Sequence, residues 1–293
     1  MRGGMISSPD TPPGLGIIAG GGPLPGRVAT AAAAAGRAVF IVALEGFADS
    51  AVVGGWPHEW IRLGRAGRMV TAMKDAGCAD VVMIGPIRRP SFRDLRPDME
   101  AAKIVARIGR AAFLGDDGLL SAIVRVLGEE GFRVLGAHEI LEAALGPVGL
   151  LSRMGPDADA TIDIGRGIAI ARALGAADVG QGCVVNTGVA VAVEAVEGTD
   201  AMLARAGELT RALGLKAPGG VLVKAAKPGQ DRRVDLPTIG PDTIRNAAAA
   251  GLLGIAYESG GTILADRDTC IALADKLGLF LLGLDPETTS NRS

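Results

Sequence analysis

At 293 residues, with 48% hydrophobic and 21% charged side chains, the chain is long enough for two domains and is globular rather than disordered. Its formal net charge of −2 argues against a general nucleic-acid binder, and an aromatic content of 3% leaves few platforms on which bases could stack. Three scattered cysteines (Cys78, Cys183, Cys270) and two histidines (His58, His138) exclude a disulfide framework, make zinc an unsuitable metal and fit a reducing cytosol. No run reaches the roughly 18 apolar residues of a spanning helix. The opening MRGGMISSPDTPPG lacks the apolar middle of a signal peptide, and residues 1–13 are expected to be a disordered tail.

Leu15 to Ala19 reads as a buried strand running into Gly20-Gly21-Gly22, followed by Pro23, Leu24, Pro25 and Gly26. An Ala-rich helix then runs to Ala35, and Ala38 to Leu44 is a second strand with Glu45 at its tip. This strand–glycine loop–helix–strand unit invites a dinucleotide reading, with phosphates at the helix start and Glu45 on a ribose hydroxyl. The fit is partial, because Pro25 stands where the third glycine of the motif is expected. A structural tight turn explains the loop as well. A helix is expected over Arg65–Ala76 and a strand over Val81–Ile84. Arg88, Arg89, Arg93 and Arg96 then surround Phe92, a basic loop suited to anions or to an anionic membrane surface, with a solvated loop paired to Asp94 and Asp98 as the plain alternative. Helices are expected over Ala101–Ala112 and from Asp116 through Leu127, then a strand over Phe132–Leu135. The first domain is therefore placed at residues 14–133 and the second at 134–293.

The second domain opens with a short helix, Ala137–Leu145, and a loop-rich stretch to Ala160. Thr161 or Asp163 is the expected cap of a helix over Arg166–Leu174. Strands near Cys183–Val185 and Ala190–Val193 flank Asn186-Thr187-Gly188, a hairpin signal. Glu194 and Glu197 stand at the end of that hairpin, and Thr199 is the expected cap of a helix over Asp200–Leu213. Farther on, Leu252–Ala256 and Leu279–Leu282 read as strands and Asp266 as the cap of a helix through Leu277.

Chemistry concentrates between Gly219 and Thr243. A strand over Val221–Val223 runs into Lys224, Lys227, Arg232 and Arg233, interleaved with Asp231 and Asp235. Pro228-Gly229 and Pro237 forbid a helix there, and Asp242 or Thr243 caps one starting near Ile244. Such a loop after a strand can bind phosphate through its cations and a metal or a water through its carboxylates. A solvated loop with internal ion pairs is the plain alternative.

The run VLVKAAKPGQDRRVDLPTIGPDTI resembles the UDP-2,3-diacylglucosamine pyrophosphatases of the lipid A pathway, the two-domain family distinct from the metallophosphoesterase type. GIIAGGGPLP, VALEGFAD, RRPSFRDLRPD and AVEAVEGTDAML resemble the same family, so the likeness spans about Gly14 to Leu284. It implies an α/β protein with a Rossmann-like parallel sheet in the N-terminal domain and a mixed α/β C-terminal domain, the substrate held in a cleft between them. It also implies Mg²⁺-assisted attack of water on the α-phosphorus of UDP-2,3-diacylglucosamine, giving UMP and 2,3-diacylglucosamine 1-phosphate (lipid X).

On that resemblance the expected catalytic residues are Asp231, Asp235, Lys224 and Arg233. Gly20, Gly21, Gly22, Pro23, Leu24, Glu45, Lys227, Gln230, Arg232, Thr238 and Gly240 are expected to bind substrate. Asp231, Asp235, Glu194, Glu197 and Asp200 are expected around the metal. A cytoplasmic protein with transient contact to the inner-membrane surface, no nucleic-acid partner and a homodimer as one assembly follows. The rival readings are a nucleotide-cofactor oxidoreductase, resting on Gly20–Gly22 and Glu45, and a non-catalytic binder of a nucleotide sugar or lipid.

Overall fold

The computed structural model of the chain describes residues 12–87, 116–141, 145–228, 231–234 and 236–286. The chain divides into two compact units between Leu141 and Glu142. The boundary expected after Arg133 falls inside a strand that completes the first unit's sheet. The basic loop around Phe92, the helix expected over Ala101–Ala112 and the greater part of the N-terminal tail lie outside the described residues.

The first unit holds five parallel strands: β1 (Gly14–Ala19), β2 (Val39–Leu44), β3 (His58–Ile61), β4 (Cys78–Ile84) and β5 (Arg133–Leu135), in the order β3-β2-β1-β4-β5. Leu15, Ile17, Ile41, Val42, Val81 and Val82 are wholly buried, as central parallel strands covered on both faces require. This is a Rossmann-like sheet whose order reverses between β1 and β4. Helix α1 (Leu24–Ala34) takes Pro25 into its first turn, where a missing N–H costs nothing, and so begins earlier than expected. Helices α2 (Ser50–Val53), α3 (Ala66–Asp75), α4 (Asp116–Glu129) and α5 (Ala137–Ile140) complete the described part. At the amino edge of the sheet Asp80 is buried and accepts from Arg133 Nε (2.8 Å) and Nη2 (2.7 Å), and Arg37 also pairs with it. That cluster ties the starts of β2, β4 and β5 together.

The second unit holds a mixed sheet in the order β6-β13-β11-β9-β7-β8. Its strands are β6 (Gly149–Leu150), β7 (Gly182–Asn186), β8 (Val189–Val193), β9 (Val221–Lys224), β11 (Gly254–Glu258) and β13 (Phe280–Leu284). β9, β11 and β13 run parallel, β7 runs against β9, and β8 against β7. β10 (Thr238–Ile239) and β12 (Ile263–Leu264) form a separate parallel pair. Helix α6 (Ala158–Ala176) covers one face, where Ile164, Ile168 and Ala171 meet Cys183, Val221 and Val223. Helices α7 (Gly198–Ala212), α8 (Pro241–Ala249) and α9 (Arg267–Leu277) cover the other, where Met202, Leu203 and Ile244 meet Val184, Leu222 and Ile255.

Several caps differ from expectation. Helix α6 is capped by Asp157, whose Oδ1 accepts from Ala160 N at 2.7 Å, and begins well before Arg166. Asp163 is instead buried and accepts from Thr187 N (3.0 Å) and Gly188 N (2.6 Å), holding the hairpin tip where both residues take positive φ. Helix α7 starts from Glu197, not Thr199. Helix α8 starts from Gly240, whose N–H donates to Thr243 Oγ1. Asp266 precedes α9 in the left-handed region without a capping bond from its side chain.

Candidate active site

The parallel strands of the second unit deliver Lys224 and Glu258 to their carboxyl ends. Because β8 points the same way as β9, its continuation Glu194 arrives at that edge too. β7 runs the other way, so its first residue, Gly182, pairs with Lys224. Loops at the carboxyl edge of an open α/β sheet are where ligands bind.

Two buried cations stand there. The Lys224 ammonium, 4% exposed, donates to Thr199 Oγ1 at 2.7 Å and lies 3.5 Å from the Thr238 carbonyl oxygen. Thr199 Oγ1 in turn donates to Glu194 Oε1 at 2.5 Å, leaving Lys224 Nζ 3.9 Å from that oxygen. Glu194 is 8% exposed, and its second oxygen, Oε2, is buried without a hydrogen-bond partner. On the opposite face of β9, Lys227 Nζ lies 2.6 Å from Asp178 Oδ1, just past the end of α6. Arg172 of α6 lies 3.7 Å from Glu258 at the end of β11. A burial this deep needs compensating charge, and each lysine has it.

The rest of the charged loop is tied to itself. Arg233 donates to both carboxylate oxygens of Asp231 (2.9 and 2.6 Å), and Arg233 N adds a third bond at 3.1 Å. The side-chain bond from Arg233 is the main reason the Asp231 carboxyl sits below the usual range. Arg232 is exposed, with Nη1 3.5 Å from the Gly260 carbonyl oxygen. Gln230 and Asp235 lie outside the described residues.

The expected metal ligands are not gathered into one cluster. Glu197 turns to Arg205 at 2.5 Å, with its carboxyl lowered chiefly by its own backbone N–H and then by Arg205. Asp200 accepts from Asn246 at 2.9 Å. Among the described residues no group of three or more acidic, histidine or cysteine side chains could hold a metal ion. Mg²⁺ does not need one, since it is held by one or two carboxylates together with substrate phosphates and water. The unpartnered Glu194 Oε2 is a donor of that kind.

In the first unit the glycine loop follows β1 at the point where the strand order reverses. Gly20 N donates to Ile84 O (2.9 Å) and Gly21 N to Pro86 O (3.0 Å), so both amides are engaged by the segment after β4. A Cβ on Gly20 would come within 2.4 Å of the Gly85 carbonyl oxygen, and Gly22 has φ +76°. Close backbone approach thus accounts for Gly20 and the positive φ for Gly22, while the amides of Gly20 and Gly21 are engaged within the unit. Gly22 and Pro23 are exposed, Leu24 is buried, and Glu45 is exposed at the tip of β2.

Thr199, Asp178, Arg172 and Glu258 were not singled out as site residues. Glu258 carries the signal that marked Lys224, a charged residue closing a strand. Asp178 and Thr199 carry none in sequence.

The family model described as the LpxI N-terminal domain matches residues 14–144, and that described as the LpxI C-terminal domain matches residues 147–282. The UDP-2,3-diacylglucosamine pyrophosphatase LpxI of Caulobacter vibrioides is 44% identical over 275 residues, covering 93% of this chain and 98% of that protein. With both units matched in order, and a relative alike over nearly its whole length, the chain belongs to the LpxI family.

Proposed function

We propose that the protein hydrolyses the pyrophosphate bond of UDP-2,3-diacylglucosamine to UMP and 2,3-diacylglucosamine 1-phosphate, a step of lipid A biosynthesis. Family membership supports the activity, as the relative's name states it. The observation that carries it in the structure is the pair of buried lysines at one sheet edge, Lys224 beside Glu194 with its unpartnered Oε2 and Lys227 beside Asp178. Pyrophosphate cleavage needs charge neutralised on the phosphoryl oxygens and a water held in line.

Lys224 and Lys227 bind phosphate oxygens, and Arg232 on the exposed loop adds charge at the entrance. Glu194 Oε2 is the acceptor that orients the water or meets a cation. Mg²⁺ supplies Lewis-acid polarisation of the phosphoryl group when bound, and Glu194 and Asp235 are the carboxylates proposed to hold it. Attack is proposed on the α-phosphorus, so that UMP leaves with the oxygen of water.

The two acyl chains place the substrate in a membrane. Among the described residues no helix is long and apolar enough to cross one. Transient contact with the cytoplasmic face of the inner membrane is therefore part of the proposal.

The test is turnover of UDP-2,3-diacylglucosamine in ¹⁸O water, with and without Mg²⁺, read by mass spectrometry. The expected result is Mg²⁺-dependent release of UMP carrying one ¹⁸O. Label in the lipid phosphate instead would overturn attack at the α-phosphorus. Equal rates after chelation would overturn the metal, and no UMP under either condition would overturn the activity.

A further inference from the structure

Lys224 and Glu194 carry opposite charges, are both more than nine-tenths buried, and yet share no hydrogen bond. Lys224 Nζ and Glu194 Oε1 are 3.9 Å apart, and the Thr199 hydroxyl bridges them, 2.7 Å from Nζ and 2.5 Å from Oε1. The direction of both bonds is fixed. An ammonium only donates and a carboxylate only accepts, so the hydroxyl accepts from Lys224 and points its own hydrogen at Glu194. The backbone reinforces this spacing. Thr199 lies in the first turn of α7, five residues after Glu194, and Lys224 comes up from β9 beneath it.

From this arrangement we infer that Thr199 is a positioning residue, a hydroxyl spacer that keeps the 3.9 Å ion pair of Lys224 and Glu194 from closing into a direct hydrogen bond. At this depth the attraction between the two charges grows as they approach, so without the spacer the closed contact is favoured. Once closed, it would occupy an N–H of Lys224 needed for a phosphate oxygen and pull Glu194 away from the place where its Oε2 is now unpartnered. The spacer leaves each charge half-satisfied. Lys224 keeps hydrogen-bonding capacity for an incoming oxyanion, and Glu194 keeps a free acceptor. The inference rests on the proposed role of Lys224 in phosphate binding, and it assigns Thr199 no contact with the reacting atoms.

The test compares full-length Thr199→Ala, Thr199→Ser, Glu194→Gln and the double variant Thr199→Ala/Glu194→Gln with the native chain. Calorimetry reads the affinity for inorganic pyrophosphate in chelator, and steady-state assays read KM and kcat. Alanine removes the hydroxyl and its bulk together, so the two charges can close. Thr199→Ala is expected to weaken pyrophosphate binding and raise KM by about tenfold, the worth of one hydrogen bond to a charged group. Thr199→Ser, which keeps the hydroxyl, should stay within about threefold of native in both. With Glu194→Gln in place the change at residue 199 should no longer cost affinity, because a neutral amide cannot neutralise Lys224. A merely structural threonine predicts the same loss in both backgrounds. If Thr199→Ala does not fold, Thr199→Gly with the same second substitution gives the same comparison.

Ala and Ser variants that behave alike, or an equal loss from Thr199→Ala with and without Glu194→Gln, would overturn the spacer. A native chain that binds no pyrophosphate would overturn it as well. Native binding with the full pattern but no turnover of the lipid substrate would leave the spacer standing and overturn the proposed activity instead.

Discussion

The ammonium of Lys227 and the carboxylate of Asp178 meet at 2.6 Å although 49 residues separate them in the chain. The lysine side chain is 6% exposed, and Asp178 holds it from a left-handed position at φ 53°. Removing the anion while leaving the buried cation is the costly way to break such a pair. Asp178→Ala should lose about 3 kcal/mol of stability. Asp178→Asn, which tolerates the same backbone and keeps an acceptor, should lose less. Urea denaturation orders the three proteins. Added pyrophosphate should recover part of the loss in the Ala variant, since it supplies the missing negative charge.

Gly167 on α6 brings the helix against β9 so closely that a Cβ there would lie 2.4 Å from Val223 Cγ2. Gly167→Ala should therefore destabilise by about 1–3 kcal/mol through overpacking, although alanine favours the helix by about 1 kcal/mol. Combining it with Val223→Ala makes room for the new methyl. The double variant should melt closer to native than Gly167→Ala does. Equal melting of the two would show that the helix shifts freely.

Asp231 and Arg233 form one unit through three hydrogen bonds. Asp231→Ala, Arg233→Ala and their combination should lower kcat/KM by similar factors, because residues acting together are not additive. Asp235 is proposed to hold Mg²⁺ together with Glu194. Asp235→Ala should reduce kcat by roughly a hundredfold or more while substrate still binds. Full additivity of the first pair, or native turnover by Asp235→Ala, would reverse these assignments.

Burial pushes the Cys183 thiol up to about 12 and the Cys78 thiol to about 11. A raised pKa means less thiolate at any lower pH, and thiolate is the species that alkylates. At pH 8 neither cysteine should react appreciably with iodoacetamide in the native protein, and both should react in urea. Peptide mass mapping checks this site by site.

The central strands were legible because their apolar runs are buried on both faces, as Leu15–Ala19 and Val221–Val223 are. The hairpin at Asn186-Thr187-Gly188 was legible from its turn residues. β3 was not: His-Glu-Trp-Ile on a sheet edge is half exposed and shows neither alternation nor a continuous apolar run. The start of α6 was hidden because its first turn, Ala158-Asp159-Ala160-Thr161, buries only the small Ala160 and shows no large apolar residue. Lys224, Lys227 and Glu194 could be found because each closes or follows a strand. Asp178 could not, because Lys227 lies 49 residues away. Thr199 could not, because Lys224 lies 25 residues away and reaches it only through the strand order, although Glu194 is five residues off.

Gly182 opens the reversed strand β7, and a Cβ placed there would come within 2.8 Å of Glu194 Oε2. The free end of the carboxylate thus overlies a residue without a side chain, and a methyl group there would push that flexible end aside. The aim of Glu194 Oε2 is therefore set in part by what residue 182 lacks. Gly182→Ala should turn the acid without removing it, which separates the direction of the carboxylate from its charge.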